Sequence, residues 1–285
     1  MTTEVVLTGT GVPHPRPGCA GAGALVRHGD VALQFDAGRS TVMRLMEAGT
    51  SPGALSAVLL THVHSDHVVG LPDVAMTRWV QQQLSATGPL VVVAPAGGAA
   101  RFVRRMLEPY DDDLALRIEH VGAAPIEVDL RPFDVPSTPE VVWTSDDGQV
   151  RVLAVAVHHE PVPEAVAYRV ETPDGAVVIS GDTRVCDEVA NLAEGADVLV
   201  HEACRATAMA PLIAGTVFET IFSYHADTAA LGRMAADVGV PHVVLTHLIP
   251  PVESPADAAA FAQDLRDGGY EGRITVGEDL TTIQL

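Results

Sequence analysis

The chain has 285 residues, of which 47% are hydrophobic, so it is long and apolar enough to bury a large core. Its formal net charge is −20 and its 17 basic residues are all arginine, a balance that repels phosphate backbones, so we expect no long nucleic acid as a partner. The sequence has no signal-peptide pattern and no apolar run of membrane-spanning length, and its three cysteines are widely spaced, so we expect a cytoplasmic protein without a membrane partner or structural disulfides.

The pattern of the first 50 residues predicts three short strands and one helix. Apolar runs bounded by turn residues predict strands over residues 4–8, 24–27 and 31–35. A Gly/Pro loop over residues 9–15 follows the first strand, and Asp36 ends the third. The chain then enters a helix over residues 41–48, which Gly49 closes.

The densest group of polar side chains follows a buried strand predicted over residues 57–60. His62, His64, Asp66 and His67 lie on the loop that leaves this strand, where side chains can converge on one point. The ring nitrogens of His62 and His64 suit a borderline cation such as zinc, and Asp66 and His67 can reach a second cation beside it. Two metals about 3.5–4 Å apart would form a hydrolytic clamp around a shared hydroxide.

The spacing His62-x-His64-x-Asp66-His67 resembles the signature of the metallo-β-lactamase fold superfamily. Further matches along the chain resemble the branch that contains ribonuclease Z and the zinc-dependent arylsulfatases. The resemblance implies an α/β fold, a four-layer αββα sandwich, formed by residues 1–285 as a single hydrolase domain. It also implies that Asp36 braces the metal loop and that the loop over residues 9–15 borders the active site, where His14 either touches substrate or faces solvent.

The middle of the chain is harder to interpret. Patterns predict a helix from Gly70 through Leu84, a strand over residues 90–94, a helix over residues 99–107 and an acidic turn over residues 111–113. Residues 114–147 show no clear pattern. Ribonuclease Z members that process tRNA precursors usually carry a long basic arm, and its absence here, together with the net charge, weighs against tRNA processing.

A regular pattern resumes at a strand over residues 152–157, which His158 and His159 follow. The His-x-Pro-Val motif of the arylsulfatase-like branch maps onto His159 and implies that it is a metal ligand, while His158 either supports a ligand or is exposed. A hairpin over residues 166–180 then delivers Asp182. Its Ser-Gly-Asp-Thr ending resembles the family motif, which implies that Asp182 bridges both metals. Taken alone, Asp182 could instead cap a helix over residues 187–194.

Glu202 follows a strand over residues 197–200, and His225 lies on a later loop. The pair resembles one in ribonuclease Z, which implies that Glu202 orients His225 and that His225 either protonates the leaving oxygen or stabilises charge that develops there. The competing interpretation of His225 is a helix cap. Between them, an apolar segment over residues 209–222 either lines a pocket for an apolar leaving group or forms a dimer contact, and we expect a homodimer.

His247 ends a strand over residues 243–246, and the resemblance makes it the last metal ligand. A helix over residues 255–266 and strands over residues 273–276 and 281–285 are predicted to complete the second sheet. The implied ligand set is His62, His64 and His159 for the first metal and Asp66, His67 and His247 for the second, with Asp182 shared.

These residues predict a dinuclear hydrolase with two Zn²⁺ ions, although Mn²⁺ or Fe²⁺ would also suit the ligands. A metal-bridging hydroxide, which Asp66 could also orient, would attack a small phosphodiester or sulfate ester while Glu202 and His225 assist the leaving group. The alternatives are a lactonase or other carboxylic-ester hydrolase, a tRNA 3′-processing endonuclease, and a metal-dependent binding protein without catalysis.

Overall fold

The computed structural model describes residues 2–82 and 87–285, and within them the chain forms two β-sheets and the helices that cover them. The earlier strands are β1 (Glu4–Gly9), β2 (Gly23–His28), β3 (Val31–Phe35), β4 (Ala57–Leu59), β5 (Leu90–Pro95) and β6 (Val128–Phe133). The later strands are β7 (Glu140–Thr144), β8 (Arg151–Ala156), β9 (Val166–Thr172), β10 (Gly175–Ile179), β11 (Val198–Cys204), β12 (His242–Ile249), β13 (Arg273–Val276) and β14 (Thr282–Gln284).

The two sheets repeat one plan. The first has the strand order β14-β1-β2-β3-β4-β5-β6, and the second has the order β13-β12-β11-β10-β9-β8-β7. In the first sheet, strands β14 to β3 pair antiparallel and strands β3 to β6 pair parallel. In the second, β7 to β10 pair antiparallel and β10 to β13 pair parallel. The parallel strands of each sheet therefore bring several carboxyl ends to one edge, where ligands commonly bind.

Several of the helices in the described residues cover the outer faces of the sheets. In chain order the helices are α1 (Thr41–Glu47), α2 (Ser65–Val68), α3 (Leu71–Gln81), α4 (Gly98–Arg105), α5 (Asp111–Val121), α6 (Asp187–Ala193), α7 (Ala206–Ile213), α8 (Val217–Ser223), α9 (Thr228–Val238) and α10 (Pro255–Asp267). Sequence signals mark several of their starts: Pro72 and Asp73 lie in the first turn of α3, and Ser254 caps α10 by accepting from the Asp257 N–H.

Three layers of apolar side chains hold these elements together. The central layer lies between the sheets and includes Phe35, Tyr168 and Val244. One outer layer packs the first sheet against α1, α3 and α4, and the other packs the second sheet against α6, α9 and α10. The predicted helix–sheet–sheet–helix sandwich is therefore confirmed.

Three local predictions were wrong or incomplete. The predicted acidic turn at residues 111–113 is instead the first turn of α5, where carboxylates are favourable against the helix dipole. The stretch over residues 114–147 that had no clear pattern contains most of α5 together with β6 and β7. Strand β14 pairs with β1 and so closes the first sheet rather than the second. The predicted end of the third helix at Leu84 lies outside the described residues, where α3 is seen to Gln81.

In residues 2–82 and 87–285, none of the helices has both the length and the apolar character needed to cross a membrane.

Candidate metal centre

The predicted site residues reach the same edge of the sandwich from both sheets. Asp36 follows β3, and the His62–His67 loop follows β4. From the second sheet, Asp182 follows β10, while Glu202 and His247 lie in the last residues of β11 and β12. Alignment of parallel strands thus brings together side chains that are up to 211 residues apart in the numbering of the chain, from Asp36 to His247.

A local irregularity turns His247 towards this edge. On β11, Glu202 pairs with Thr246 and the next residue pairs with Leu248, so His247 is an extra residue in its strand. Its φ of 45° lies in the left-handed region, as does the φ of 55° at Asp36. Bulges of this kind re-aim a side chain, and such strain is typically found at functional sites.

The seven predicted ligands form two adjoining groups. Within each group, one nitrogen or oxygen atom per residue lies within 4.8 Å of the others. The groups are His62, His64, His159 and Asp182, and Asp66, His67 and His247. The predicted division of ligands between two metals follows the same grouping.

Asp182 lies between the two groups. Its Oδ2 atom is 3.3 Å from Nε2 of His67 and 3.4 Å from Nε2 of His247, both in the second group. The same oxygen is 3.8 Å from Nε2 of His159 and 4.0 Å from Nε2 of His62, in the first group. Asp182 could therefore supply an oxygen to both sites, and it does not cap α6, whose N-cap residue is Cys186.

The buried polar atoms of the cluster fit a divalent cation. Within the described residues, Nε2 of His62 and Nε2 of His67 have no hydrogen-bond partner although they are buried. A buried nitrogen without a partner is costly, and coordination of a cation would satisfy it. Histidine and carboxylate donors of this kind suit zinc and other first-row divalent metals.

The charges within the cluster also favour binding of a cation. Burial raises the pKa of Asp182, but the imidazoles of His247 and His67 outweigh it and hold the pKa well below its usual range. Burial lowers the pKa of His67, but the carboxylates of Asp182 and Asp36 outweigh it and raise the pKa well above its usual value. Burial, followed by the charge on His67, keeps the pKa of His62 well below its usual value. The carboxylates therefore favour a bound positive charge within the cluster.

Asp36 supports the cluster from behind, as the resemblance implies. Its Oδ2 accepts hydrogen bonds from Nδ1 of His67 at 2.8 Å and from the Thr61 hydroxyl at 2.7 Å. The Thr61 oxygen is in turn 3.0 Å from Nδ1 of His62 and can accept from it. One carboxylate thus fixes two imidazoles with their Nε2 atoms facing the centre. The role of Thr61 was missed from sequence, although its position directly before His62 was visible.

The structure separates the two adjacent histidines that follow β8. His159 is buried in the cluster, and its Nδ1 lies 3.3 Å from the Tyr224 carbonyl oxygen, to which it can donate. His158 instead turns outward to Glu188, with 3.1 Å between Nε2 and Oε1. The contribution of Tyr224 was also missed, because a backbone carbonyl leaves no signal in sequence.

Glu202 and His225 form a pair beside the cluster. Both are buried, and Nδ1 of His225 lies 2.8 Å from Oε1 of Glu202. The same oxygen accepts from the Thr183 N–H at 2.8 Å. Burial lowers the pKa of His225, but the Glu202 carboxylate outweighs it and raises the pKa to about 9. Glu202 therefore favours the protonated form of His225. The helix-cap interpretation does not apply, since Asp227 caps α9.

A cavity of about 430 Å³ opens over the cluster. Its floor contains His64, Asp66, His159, Asp182, His225 and His247. Its walls are mostly apolar and come from the loop after β1, from α8 and from the end of β12. His14 lies in the first of these walls, next to Val12 and Pro13. A group bound here would touch the polar cluster on one side and apolar side chains on the other.

The chain matches a known family model and known proteins. The family model described as Beta-lactamase superfamily domain matches residues 33–248, which include all of the predicted site residues. Ribonuclease Z of Mycobacterium bovis (strain BCG / Pasteur 1173P2) is 34% identical over 282 residues, which cover 99% of this chain and 98% of that protein.

Solved structures share the fold at lower identity. The metallo-beta-lactamase fold protein YhfI from Bacillus subtilis superposes with a TM-score of 0.76 and 18% identity, over 100% of both chains. The short form of human tRNase Z superposes with a TM-score of 0.68 and 20% identity, over 98% of both chains. The sandwich fold thus occurs in these other proteins.

Proposed function

Because the chain belongs to the β-lactamase superfamily and, within it, to the ribonuclease Z family, we propose that it cleaves a phosphodiester bond at the 3′ end of tRNA precursors. A metal-dependent hydrolase of phosphodiester bonds follows from the family itself. The observation that carries the finer proposal is the whole-length match to a protein named ribonuclease Z, which spans 99% of this chain.

Two sequence-based expectations were wrong. The expected small phosphodiester or sulfate ester, and with it the arylsulfatase-like and lactonase interpretations, is contradicted by relatives named ribonuclease Z along the whole chain. The exclusion of long nucleic acid is contradicted by the same relatives. Both errors arose because the net charge of −20 and the missing basic arm were weighed above the motifs of the site.

We propose that the cluster holds two Zn²⁺ ions. His62, His64 and His159 would bind one, Asp66, His67 and His247 the other, and Asp182 would serve both, as the grouping of their ligand atoms within 4.8 Å supports. When bound, such ions activate water and neutralise charge on a phosphoryl group.

The remaining steps fall to side chains of this chain. Asp66 lies on the floor of the cavity, where its carboxylate can orient the attacking water. As the water oxygen bonds to phosphorus, the bond from phosphorus to the leaving 3′ oxygen breaks. His225 donates the proton on Nε2 to that oxygen and later recovers one from water, while Glu202 holds the ring through Nδ1. The products are an RNA with a 3′ hydroxyl and a trailer with a 5′ phosphate.

Binding of an RNA requires only local positive charge, and one arginine on the loop after β1 and one after β3 supply some. Arg16 and Arg39 lie with His14 around a depression that adjoins the cavity and shares Val12 with it. The described residues give these two arginines backbone carbonyl partners, at Val252 and Val12, rather than carboxylates. Their charge is therefore available to a phosphate next to the cleaved one.

The test is cleavage of a labelled tRNA precursor with a 3′ trailer by the zinc-loaded protein. We expect one cut at the trailer junction, and no cut in Asp182→Ala or His159→Ala. His158→Ala is the matched control, because it removes the adjacent imidazole, which pairs with Glu188 outside the cluster, and it should cleave normally. Failure of the metal-loaded wild-type protein to cut any precursor would reject the proposal.

Location and assembly complete the proposed function. We propose a cytoplasmic location, where tRNA precursors occur, and a homodimer of chains that each form one domain over residues 1–285. Cell fractionation and light scattering test these points separately from the cleavage assay.

A further inference from the structure

Aromatic side chains are concentrated on one wall of the cavity. The chain contains only 6 phenylalanines, 4 tyrosines and 2 tryptophans, yet Phe218, Phe222 and Tyr224 all line this cavity. Phe218 leaves 43% of its surface exposed, and its ring centroid lies 6.1 Å from that of Phe222 in an edge-to-face arrangement. Phe222 is buried and so fixes the base of the wall.

The surroundings of this wall are apolar. Helices α7 and α8, with the turn that joins them, carry Glu219 as their single charged residue. Ile221, Ile249 and Pro250 complete the apolar surface that faces the cavity. An exposed aromatic ring on such a surface, continuous with a reactive cluster, indicates a binding position for a flat apolar group of the substrate.

A nucleobase is the part of an RNA that matches this description. Proteins that recognise single-stranded RNA commonly stack unpaired bases on aromatic side chains, and every base offers a flat face for this contact. The cavity of about 430 Å³ has room for one base beside the phosphate at the cluster. The polar floor would meet the phosphate, and the aromatic wall would meet the base.

The position of His225 indicates which nucleotide, relative to the cleaved bond, carries the stacked base. Helix α8 ends at Ser223, and Tyr224 and His225 follow it directly, so the aromatic wall and His225 lie on the same side of the cluster. In the proposed reaction His225 protonates the leaving 3′ oxygen. The nucleotide that carries this oxygen therefore lies against α8, and the trailer lies away from it.

We propose that Phe218 is a stacking platform for the base of the nucleotide immediately 5′ of the cleaved bond, and so helps to set where the enzyme cuts. This inference rests on the proposed function. It assigns a contact to a residue outside the metal cluster, and it supplies affinity for RNA that does not depend on surface charge.

The experiment compares three precursors: one intact, one lacking the base immediately 5′ of the cleaved bond, and one lacking the base immediately 3′ of it. Phe218→Ala should lower kcat/KM on the intact precursor by about 10- to 100-fold, mainly through KM. The same loss should appear on the precursor without the 3′ base. On the precursor without the 5′ base, wild type and Phe218→Ala should be equal, since the contact is already missing.

Two control variants isolate stacking from other effects. Phe218→Tyr keeps a flat ring and should restore activity on the intact precursor. Leu212→Ala removes an apolar side chain on α7 that is 75% exposed and does not line the cavity, so it should cleave like wild type. In addition, 2-aminopurine placed at the 5′ position should be quenched by a catalytically inactive Asp182→Ala protein and less so when Phe218→Ala is added.

Specific results would overturn the inference. An equal loss for Phe218→Ala on all three precursors, or a loss that disappears only without the 3′ base, contradicts stacking on the 5′ base. An equal loss accompanied by a smaller mass in light scattering would assign the wall to a subunit contact instead. If wild type cleaves no precursor, the proposed function fails and this inference with it. If wild type cleaves the intact precursor and Phe218→Ala cleaves it with the same kcat/KM, the inference alone is rejected.

Discussion

Substitution of Glu202 by glutamine tests the proton-donor assignment most directly. The side chain is fully buried, and its Oε1 atom accepts from both the Thr183 N–H and Nδ1 of His225 at 2.8 Å. Glutamine has the same shape and keeps an acceptor oxygen, so Glu202→Gln removes the negative charge and little else. The imidazole then keeps its position and loses the charge that stabilises its protonated form.

The size of the effect follows from the pKa of His225. Burial lowers this pKa, and the carboxylate of Glu202 outweighs burial to raise it to about 9. Without the carboxylate, burial prevails and the pKa falls below its ordinary value of 6.5. His225 would then be mostly neutral at pH 7.5 and unable to donate. Because general acid catalysis contributes roughly 10²–10⁴-fold, we expect kcat on a tRNA precursor to fall by about 100-fold or more.

The assay is kcat against pH, because in the proposed mechanism the protonated form of His225 is the active one. For the wild type, activity should decline as pH rises through the pKa of His225, which the Glu202 carboxylate raises. For Glu202→Gln this decline should occur at a lower pH, so that the variant recovers activity as the solution is made more acidic. A chromogenic aryl phosphodiester, used only as a probe, has a leaving group that needs no proton, and its cleavage should fall by less than about 10-fold.

A second pair near the site supplies the control. Glu188 holds His158 at 3.1 Å, outside the cluster, so Glu188→Gln makes the same chemical change without touching His225. Its pH profile should match the wild type. The reasoning is refuted if Glu202→Gln keeps the wild-type rate and pH profile on the precursor. It is also refuted if both substrates lose activity equally while the metal content is unchanged.

Three further substitutions test the support of the site and the fold. Asp36→Ala removes the carboxylate that fixes His67 and should weaken metal binding by about 10- to 100-fold in a chelator competition, where unchanged affinity would count against its role. Gly70→Ala places a Cβ 2.1 Å from the carbonyl oxygen of Gly38, so urea unfolding should show a loss of about 1–3 kcal/mol or more, and an unchanged midpoint would contradict this. Burial, aided by Arg273, lowers the pKa of His242 from 6.5 to about 4, so folding keeps the ring neutral and stability falls as pH drops from 6.5 towards 4. In His242→Gln this loss of unfolding free energy should be smaller by about 1–2 kcal/mol, a figure reduced for solvent screening. Unfolding measured across this pH range checks it, and an equal loss of stability in the two proteins would refute it.

The sequence was most informative where ligands are close neighbours or end a strand. His62, His64, Asp66 and His67 stand on one loop after a strand that has a clear apolar run, so their convergence could be predicted from local pattern. Asp182 was assigned through its resemblance to a family motif. The structure brings all of them to one edge, because that edge collects the carboxyl ends of parallel strands.

Features that depend on distant pairing were not predictable in the same way. Strand β14 has three residues and reaches its sheet only by pairing with β1, at the opposite end of the chain. The bulge that turns His247 inward depends on the register between β11 and β12, which no local pattern encodes. The carbonyl of Tyr224 supports His159 through backbone geometry alone, so any residue type could stand there.

The prediction about substrate failed for a different physical reason. Net charge describes the field far from a protein, but at physiological ionic strength exposed charges are screened over about 8 Å. The carboxylates that produce the charge of −20 therefore do not decide what a phosphate meets at one edge of the sandwich. At that edge a cluster of histidines and aspartates could hold cations, and Arg16 and Arg39 lie beside the cavity. If Phe218 adds a stacking contact to a base, which does not depend on charge, an acidic chain can bind the end of an RNA through a few local contacts, without a long basic arm.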